Sequence, residues 1–209
     1  MARALVTGGT RGIGRAILDE LQLLGHEVFT FSRSPNNWFV ADATDPHGRK
    51  LVKDHVGHCD ILINNVGGGG RYGTDYEVIA KNVGAMIDFT TWAIDGMAQR
   101  EWGRIITISS IHGREYGSRA LFMAAKAAQI AYMKGMSRTY ARHGLTFNTV
   151  CPGNVHVEGK PDPATPPEPM GRMGKPQEVA KLVAFLCNDE AAWINGSTIV
   201  IDGGESNAI

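Results

Sequence analysis

The chain has 209 residues, 43% of them apolar and 20% charged. A globular chain of this size buries about 70% of its unfolded surface and needs no disulfides to fold. Its 21 basic and 21 acidic residues leave no net charge. That balance argues against nucleic acid or an acidic membrane as a partner, and no run of 18 apolar residues predicts a span. Cys59, Cys151 and Cys187 are odd in number and scattered. This suits a reducing, cytoplasmic compartment and fits neither a disulfide framework nor a metal cluster, so no metal is expected. The start, MARALVTGG, enters a strand without the long apolar core of a signal peptide. Glycine is the outlier, with 26 residues.

In chain order, β-rich runs are expected at 4–7, 27–32, 39–41, 61–64, 104–109, 146–151 and 198–201. Helical patterns are expected at 13–24, 47–55, 76–99, 121–143 and 177–187. Most of the strands are continuously apolar, as strands covered on both faces are. Alternation of such strands with helices predicts an α/β fold. We expect one doubly wound domain over 1–209, with a mainly parallel seven-stranded sheet and helices on both faces. The Pro-rich stretch 160–169 reads as a surface loop past the sixth strand, so 154–170 is expected to cover a substrate.

The first strand runs into Thr7-Gly8-Gly9-Thr10-Arg11-Gly12-Ile13-Gly14, and a helical pattern follows. Gly8 would permit the tight turn, Gly12 would let backbone approach a pyrophosphate, and Gly14 would let helix and strand pack closely. The helix N-terminus would offer free N–H groups to the phosphate. In this context the glycines predict a Rossmann-type dinucleotide site. No acidic residue follows the second strand; Arg33 does, with Arg11 close by in the turn. Two guanidiniums favour a 2′-phosphate, hence NADP(H) over NAD(H).

These motifs, together with DATD at 42–45, NNVG at 64–67, KNVGA at 81–85, GRIITISS at 103–110, KAA at 126–128, CPG at 151–153 and GRMGKPQEVAKLVAFL from 171, resemble the short-chain dehydrogenase/reductase family over nearly the whole chain. The likeness is to members of the 3-oxoacyl carrier-protein reductase kind. The resemblance implies NAD(P)-dependent interconversion of a small-molecule carbonyl and an alcohol. It implies that Asp42, with Ala43 beside it, meets the adenine, and that Asn64, Asn65, Val66 and Gly67 line its ribose. It places Pro152, Gly153 and Val155 by the nicotinamide. A threonine usual after the Pro-Gly turn is replaced by Val157. The implied catalytic set is Asn82 in a proton relay, Ser110 on the substrate carbonyl, and Lys126 on the nicotinamide ribose. A homodimer or homotetramer through the helices 76–99 and 121–143 is also implied. Met86, Phe89, Trp92, Met133 and Met136 look like apolar surface left over for that contact.

The family's tyrosine, one helical turn before the lysine, is Phe122 here, which cannot exchange a proton. Four readings stay open: an engineered Tyr→Phe exchange; another acid drawn from His112, Glu115 or Tyr116; an NADP(H)-binding regulatory or scaffold protein without turnover; or a reaction in which the cofactor and Ser110 suffice. The chain is also trimmed between Asp45 and Asp60 and between Asn65 and Asn82. Gly67–Gly70 and Arg71 stand there in place of a longer loop.

Overall fold

Continuously apolar strands fold where both faces can be covered, and this chain covers both. The computed structural model describes residues 1–33, 39–68, 74–117, 119–156, 159 and 168–208. Strands β1 (Arg3–Val6), β2 (Glu27–Phe29), β5 (Ile61–Asn64), β6 (Gly103–Ile108), β7 (Leu145–Pro152) and β8 (Thr198–Ile201) form one sheet in the order β2-β1-β5-β6-β7-β8. Every ladder in it is parallel. The chain winds outward from β1 to β2, then returns past β1 to β5. The topological switch therefore lies between β1 and β5, where sheets of this kind bind ligands.

Successive strand residues feed opposite cores, as the period of two requires. Ala4, Val6, Ile61, Ile63, Ile106 and Ile108 face α1 (Gly12–Leu23) and α6 (Pro176–Leu186). Leu5, Leu62 and Ile105 face the layer that includes α2 (Pro46–Val56), α4 (Ala85–Gln99) and α5 (Ala120–Tyr140). Burying each such side chain contributes about 1.5–3 kcal/mol.

The sheet differs from expectation in its strand count. Among the described residues it has six strands, and the stretch 27–32 breaks at Thr30. Beyond the break, β3 (Phe31–Ser32) pairs in parallel with β4 (Phe39–Val40) as a separate two-stranded ribbon. Thr30 has another task at the break. Its hydroxyl donates to the Val6 carbonyl at 2.8 Å and accepts from the Gly9 N–H at 3.0 Å.

The helix expected at 76–99 is three pieces: α3 (Asp75–Ile79), a π-helical turn over Ala80–Gly84, and α4. A capping box starts it, with the Glu77 carboxylate accepting from the Thr74 N–H and the Thr74 hydroxyl accepting from the Glu77 N–H. The apolar surplus read for this helix and α5 is also corrected. Met86, Phe89 and Met133 are buried in the chain's own core, while Trp92 and Met136 are half-buried at its edge. The substrate loop expected at 154–170 falls largely outside the described residues, as do Val157, Gly69, Gly70 and Arg71. Among the described residues no helix is long and apolar enough to cross a membrane.

Candidate active site

The turn after β1 is built by backbone constraint and long-range polar bonds. Gly8 and Gly12 have φ of +69° and +55°, a region open mainly to glycine. A Cβ on Gly14 would run into the Gly8 carbonyl and the Asn65 amide, so only glycine lets α1 sit this close. The Thr7 hydroxyl accepts from the Asn65 and Val66 N–H groups at 2.9 and 3.0 Å. The Asn65 amide donates to the carbonyls of Thr7 and Gly8, both at 3.1 Å. Arg11 is extended at the helix N-cap, and no side chain caps the first turn of α1. That turn thus presents free donors and the positive end of the helix dipole, as a phosphate requires. Thr10 borders the turn half-buried, and Ile13 packs on the core below it.

A cationic cluster flanks this turn. Arg11 and Arg33 are exposed, and Lys81 in the π turn feels both. Partial burial and then repulsion from Arg33 and Arg11 hold the Lys81 ammonium below its usual range, with Asp42 opposing. Asp42 accepts from the N–H and the hydroxyl of Thr44, both at 2.8 Å, and Ala43 beside it is buried.

A second polar group stands at the carboxyl ends of β5 and β6. Asn82 is fully buried in the π turn. Its amide pairs with both backbone groups of Gly68: it accepts from the N–H at 3.1 Å and donates to the carbonyl at 3.1 Å. It also donates to the Val78 carbonyl at 2.8 Å. Gly67 must lack a Cβ, which would stand 2.7 Å from Asn82 Oδ1 and 3.3 Å from Lys126 Nζ. Ser110 follows β6, half-buried, and its hydroxyl oxygen accepts from the His112 N–H at 3.2 Å. The neighbouring Ser109 instead points inward and donates to the Lys126 carbonyl at 2.9 Å, holding α5 against β6.

Lys126 lies on α5 with its side chain buried. Nζ donates to the Ile108 carbonyl at 3.0 Å and to Gln129 Oε1 at 3.1 Å. Burial pulls the ammonium down to about 8, with Cys151 opposing. The Phe122 ring lies one helical turn away, its centroid 5.6 Å from Nζ. Tyr116 is 87% exposed. The Glu115 carboxylate accepts from the Asn207 and Ala208 N–H groups. His112 Nδ1 is packed beside Gly117, without a hydrogen-bond partner among the described residues.

The far wall is the turn after β7. Pro152 ends the strand, and the Gly153 N–H donates to the Ile201 carbonyl at 3.1 Å. A Cβ on Gly153 would strike the Glu205 carboxylate, which accepts from the Asn154 N–H and side-chain amide, both at 2.7 Å. Val155 bridges to Gly174.

The structure thus gathers Asn82, Ser110, Phe122 and Lys126 on one side of the switch point and the glycine turn on the other. Asn64 stands apart. Its amide faces inward, donating to Thr90 Oγ1 at 2.9 Å. Thr30 and Gln129 are functional candidates that the motifs did not mark; Asn65 and Lys81 stand inside NNVG and KNVGA, Lys81 with no role assigned to it there. Among the described residues, no group of three or more His, Cys, Asp or Glu could hold a metal ion.

Residues 8–206 match the sequence profile of the family described as Enoyl-(Acyl carrier protein) reductase. The chain is 34% identical over 239 aligned positions to an acetoacetyl-CoA reductase of Shinella zoogloeoides, covering 97% of each chain. It is 33% identical to the 3-oxoacyl-[acyl-carrier-protein] reductase FabG of Escherichia coli strain K12, covering 96% of each. Both alignments are longer than the chain, in keeping with its trimmed loops. Among solved structures, the short-chain dehydrogenase/reductase from Serratia marcescens BCRC 10948 superposes with a TM-score of 0.86 at 29% identity, covering 98% of this chain and 97% of that one. The acetoin dehydrogenase YohF from Salmonella typhimurium gives 0.90 at 23% identity, covering 100% and 98%, a likeness of fold alone.

Proposed function

Because the chain belongs to the short-chain dehydrogenase/reductase family, we propose that it binds NADP(H) and interconverts a carbonyl and an alcohol. Two relatives carry acetoacetyl-CoA and 3-oxoacyl carrier-protein reductase names, so a 3-oxoacyl thioester is the first substrate class to test. The observation that carries the reading is the buried Lys126 ammonium, held by two acceptors behind Ser110. A charge sunk this deep is costly unless it serves a partner.

The nicotinamide, when bound, supplies the hydride. The uncapped first turn of α1 suits the pyrophosphate, and Arg11, Arg33 and Lys81 suit a 2′-phosphate. Asp42 and Ala43 stand at the adenine end, with Val66, Gly67 and the backbone of Asn64 toward its ribose. Pro152, Gly153 and Val155 form the nicotinamide wall, and Lys126 offers a remaining N–H to that ribose. Ser110 spends an oxygen lone pair on His112 and keeps its proton to donate to the substrate oxygen. Phe122 exchanges no proton, so the product oxygen takes its proton from water in the cleft and turnover is slow. We place the protein in the cytoplasm as a homodimer or homotetramer.

Titration calorimetry with NADPH and NADH, followed by nicotinamide absorbance with acetoacetyl-CoA, tests this reading. Tighter NADPH binding and slow oxidation that is lost in Ser110→Ala are expected. Failure to bind either nucleotide would end it. The missing phenol favours one second reading, an NADP(H) sensor without turnover. Tight NADPH binding with no turnover, in this protein and in Phe122→Tyr alike, would select that reading.

A further inference from the structure

Gln129 is a polar residue where α5 is otherwise built to pack. The inward face of this helix carries Ala125, Lys126, Gln129, Met133 and Ser137, and Gln129 is 1% exposed. A side-chain amide buried there is destabilising by about 1–3 kcal/mol unless both its ends are hydrogen-bonded. Both ends are. Nε2 donates to the main-chain carbonyl of Asn82 at 2.7 Å, and Oε1 accepts from Lys126 Nζ at 3.1 Å. The partners fix the amide's sense, since a carbonyl only accepts and an ammonium only donates. A flipped amide would face oxygen with oxygen and N–H with N–H. The amide therefore joins the π turn to the lysine through a single rigid group.

We propose that Gln129 is a positioning residue for Lys126: it ties the ammonium to the Asn82 carbonyl and so leaves one N–H of three free for a bound ligand. Ile108 and Gln129 accept the other two. An apolar residue of the same length would fill the space as well and leave Nζ with one acceptor and a swinging side chain. It would also leave the Asn82 carbonyl without its donor, at the point where the helix has widened. The titratable group facing Lys126 from β7 is Cys151, whose thiol burial pushes up, with Arg114 beyond it. The other groups in contact, Asn82, Gly67 and Phe122, carry no charge. The final N–H is assigned to the nicotinamide ribose only through the function proposed above. The tether itself does not rest on that reading.

The test is the titration of Lys126 in apoprotein carrying 13C,15N-lysine, followed by Cε–Nζ correlation NMR. The signal is assigned by its loss in Lys126→Met. In Gln129→Met, matched in length and apolar, the midpoint should fall by about one pH unit or more, because the charged form loses an acceptor. NADPH affinity should fall about five-fold or more at pH 8 and much less at pH 6, where the ammonium is charged in both proteins. Gln129→Glu restores an acceptor and should bring the midpoint back to the parent value or above. Thermal unfolding confirms that each variant is folded. An unmoved midpoint and pH profile in folded Gln129→Met would overturn the proposal. So would a Gln129→Glu midpoint below the parent's, a comparison that decides the matter should Gln129→Met not fold. If the parent protein binds no NADPH, the cofactor reading fails while the apoprotein titration still judges the tether.

Discussion

The Lys126 ammonium faces the Phe122 ring one helical turn away, with 5.6 Å between Nζ and the ring centroid. The spacing i, i+4 puts both on one side of α5. Cation–π attraction of this kind contributes about 0.5–2 kcal/mol and favours the charged amine. The ring therefore supports the lysine but gives the substrate no proton. Phe122→Tyr adds one oxygen to a ring already placed. It should raise kcat with a 3-oxoacyl thioester by about 10²–10⁴-fold, the usual contribution of a positioned acid. NADPH affinity should change little. Steady-state absorbance kinetics on the two proteins checks this, and equal kcat values would show that the ring position is not where the proton is exchanged.

Lys81, Arg11 and Arg33 repel one another in the free protein, and partial burial adds to the strain on the Lys81 ammonium. A 2′-phosphate would relieve that repulsion, and 2′-hydroxyl would not. Lys81→Ala and Arg33→Ala should each weaken NADPH binding about ten-fold or more and leave NADH binding nearly unchanged. Calorimetry in two buffers of different ionisation enthalpy should also show proton uptake with NADPH as pH rises into the lowered range in which the free Lys81 ammonium titrates. An equal loss for both nucleotides would assign these cations to the pyrophosphate instead.

The buried lysine gives a pH signature with a definite sign. Its pKa lies near 8 in the folded protein against an ordinary value of 10.5. Between these limits the unfolded chain binds more protons than the folded one, so stability rises with pH through that window. Below pH 8 the full penalty for burying the charge is present; above 10.5 it is gone. Urea unfolding of the parent and of Lys126→Met isolates this effect from other titrations. The parent should gain up to about 3 kcal/mol on Lys126→Met from pH 8 to 10.5. A constant difference would mean the lysine titrates normally when folded.

Gly14 leaves no room for a methyl group between the Gly8 carbonyl and the Asn65 amide. Gly14→Ala should push α1 off the turn, with a loss of about 1–3 kcal/mol in stability. Nucleotide binding should be lost at concentrations that saturate the parent, while circular dichroism still shows a folded protein at 20 °C. Retained affinity would show that the first turn of α1 is not the phosphate site.

How far the sequence spoke follows from the range over which each interaction acts. The strand at 61–64 and the helix at 177–187 were plain because their apolar patterns are local and each is one piece. The glycine turn was plain because backbone geometry alone demands it. Asn64 and Asn65 were not separable by motif: one faces Thr90 in the interior, and the other holds the Thr7 and Gly8 carbonyls. Only the register of β5 decides between them. Thr30 breaks its strand because of two bonds to a turn some twenty residues earlier. Gln129 had a local signal, an amide three residues after the lysine in an alanine-rich helix, but its second partner lies 47 residues away.

The π turn at Ala80–Gly84 sets α4 apart in phase from α3. An extra residue in one turn rotates all that follows by about 100° about the helix axis. Removing a single residue from this turn would let an unbroken α-helix form, with regular bonding throughout. The same deletion would swing the Asn82 amide away from Gly68 and its carbonyl away from Gln129. The regular bonding gained would be offset by the buried polar groups of Asn82 and Gln129 left without partners, so the irregular turn is held in place by the cleft it builds.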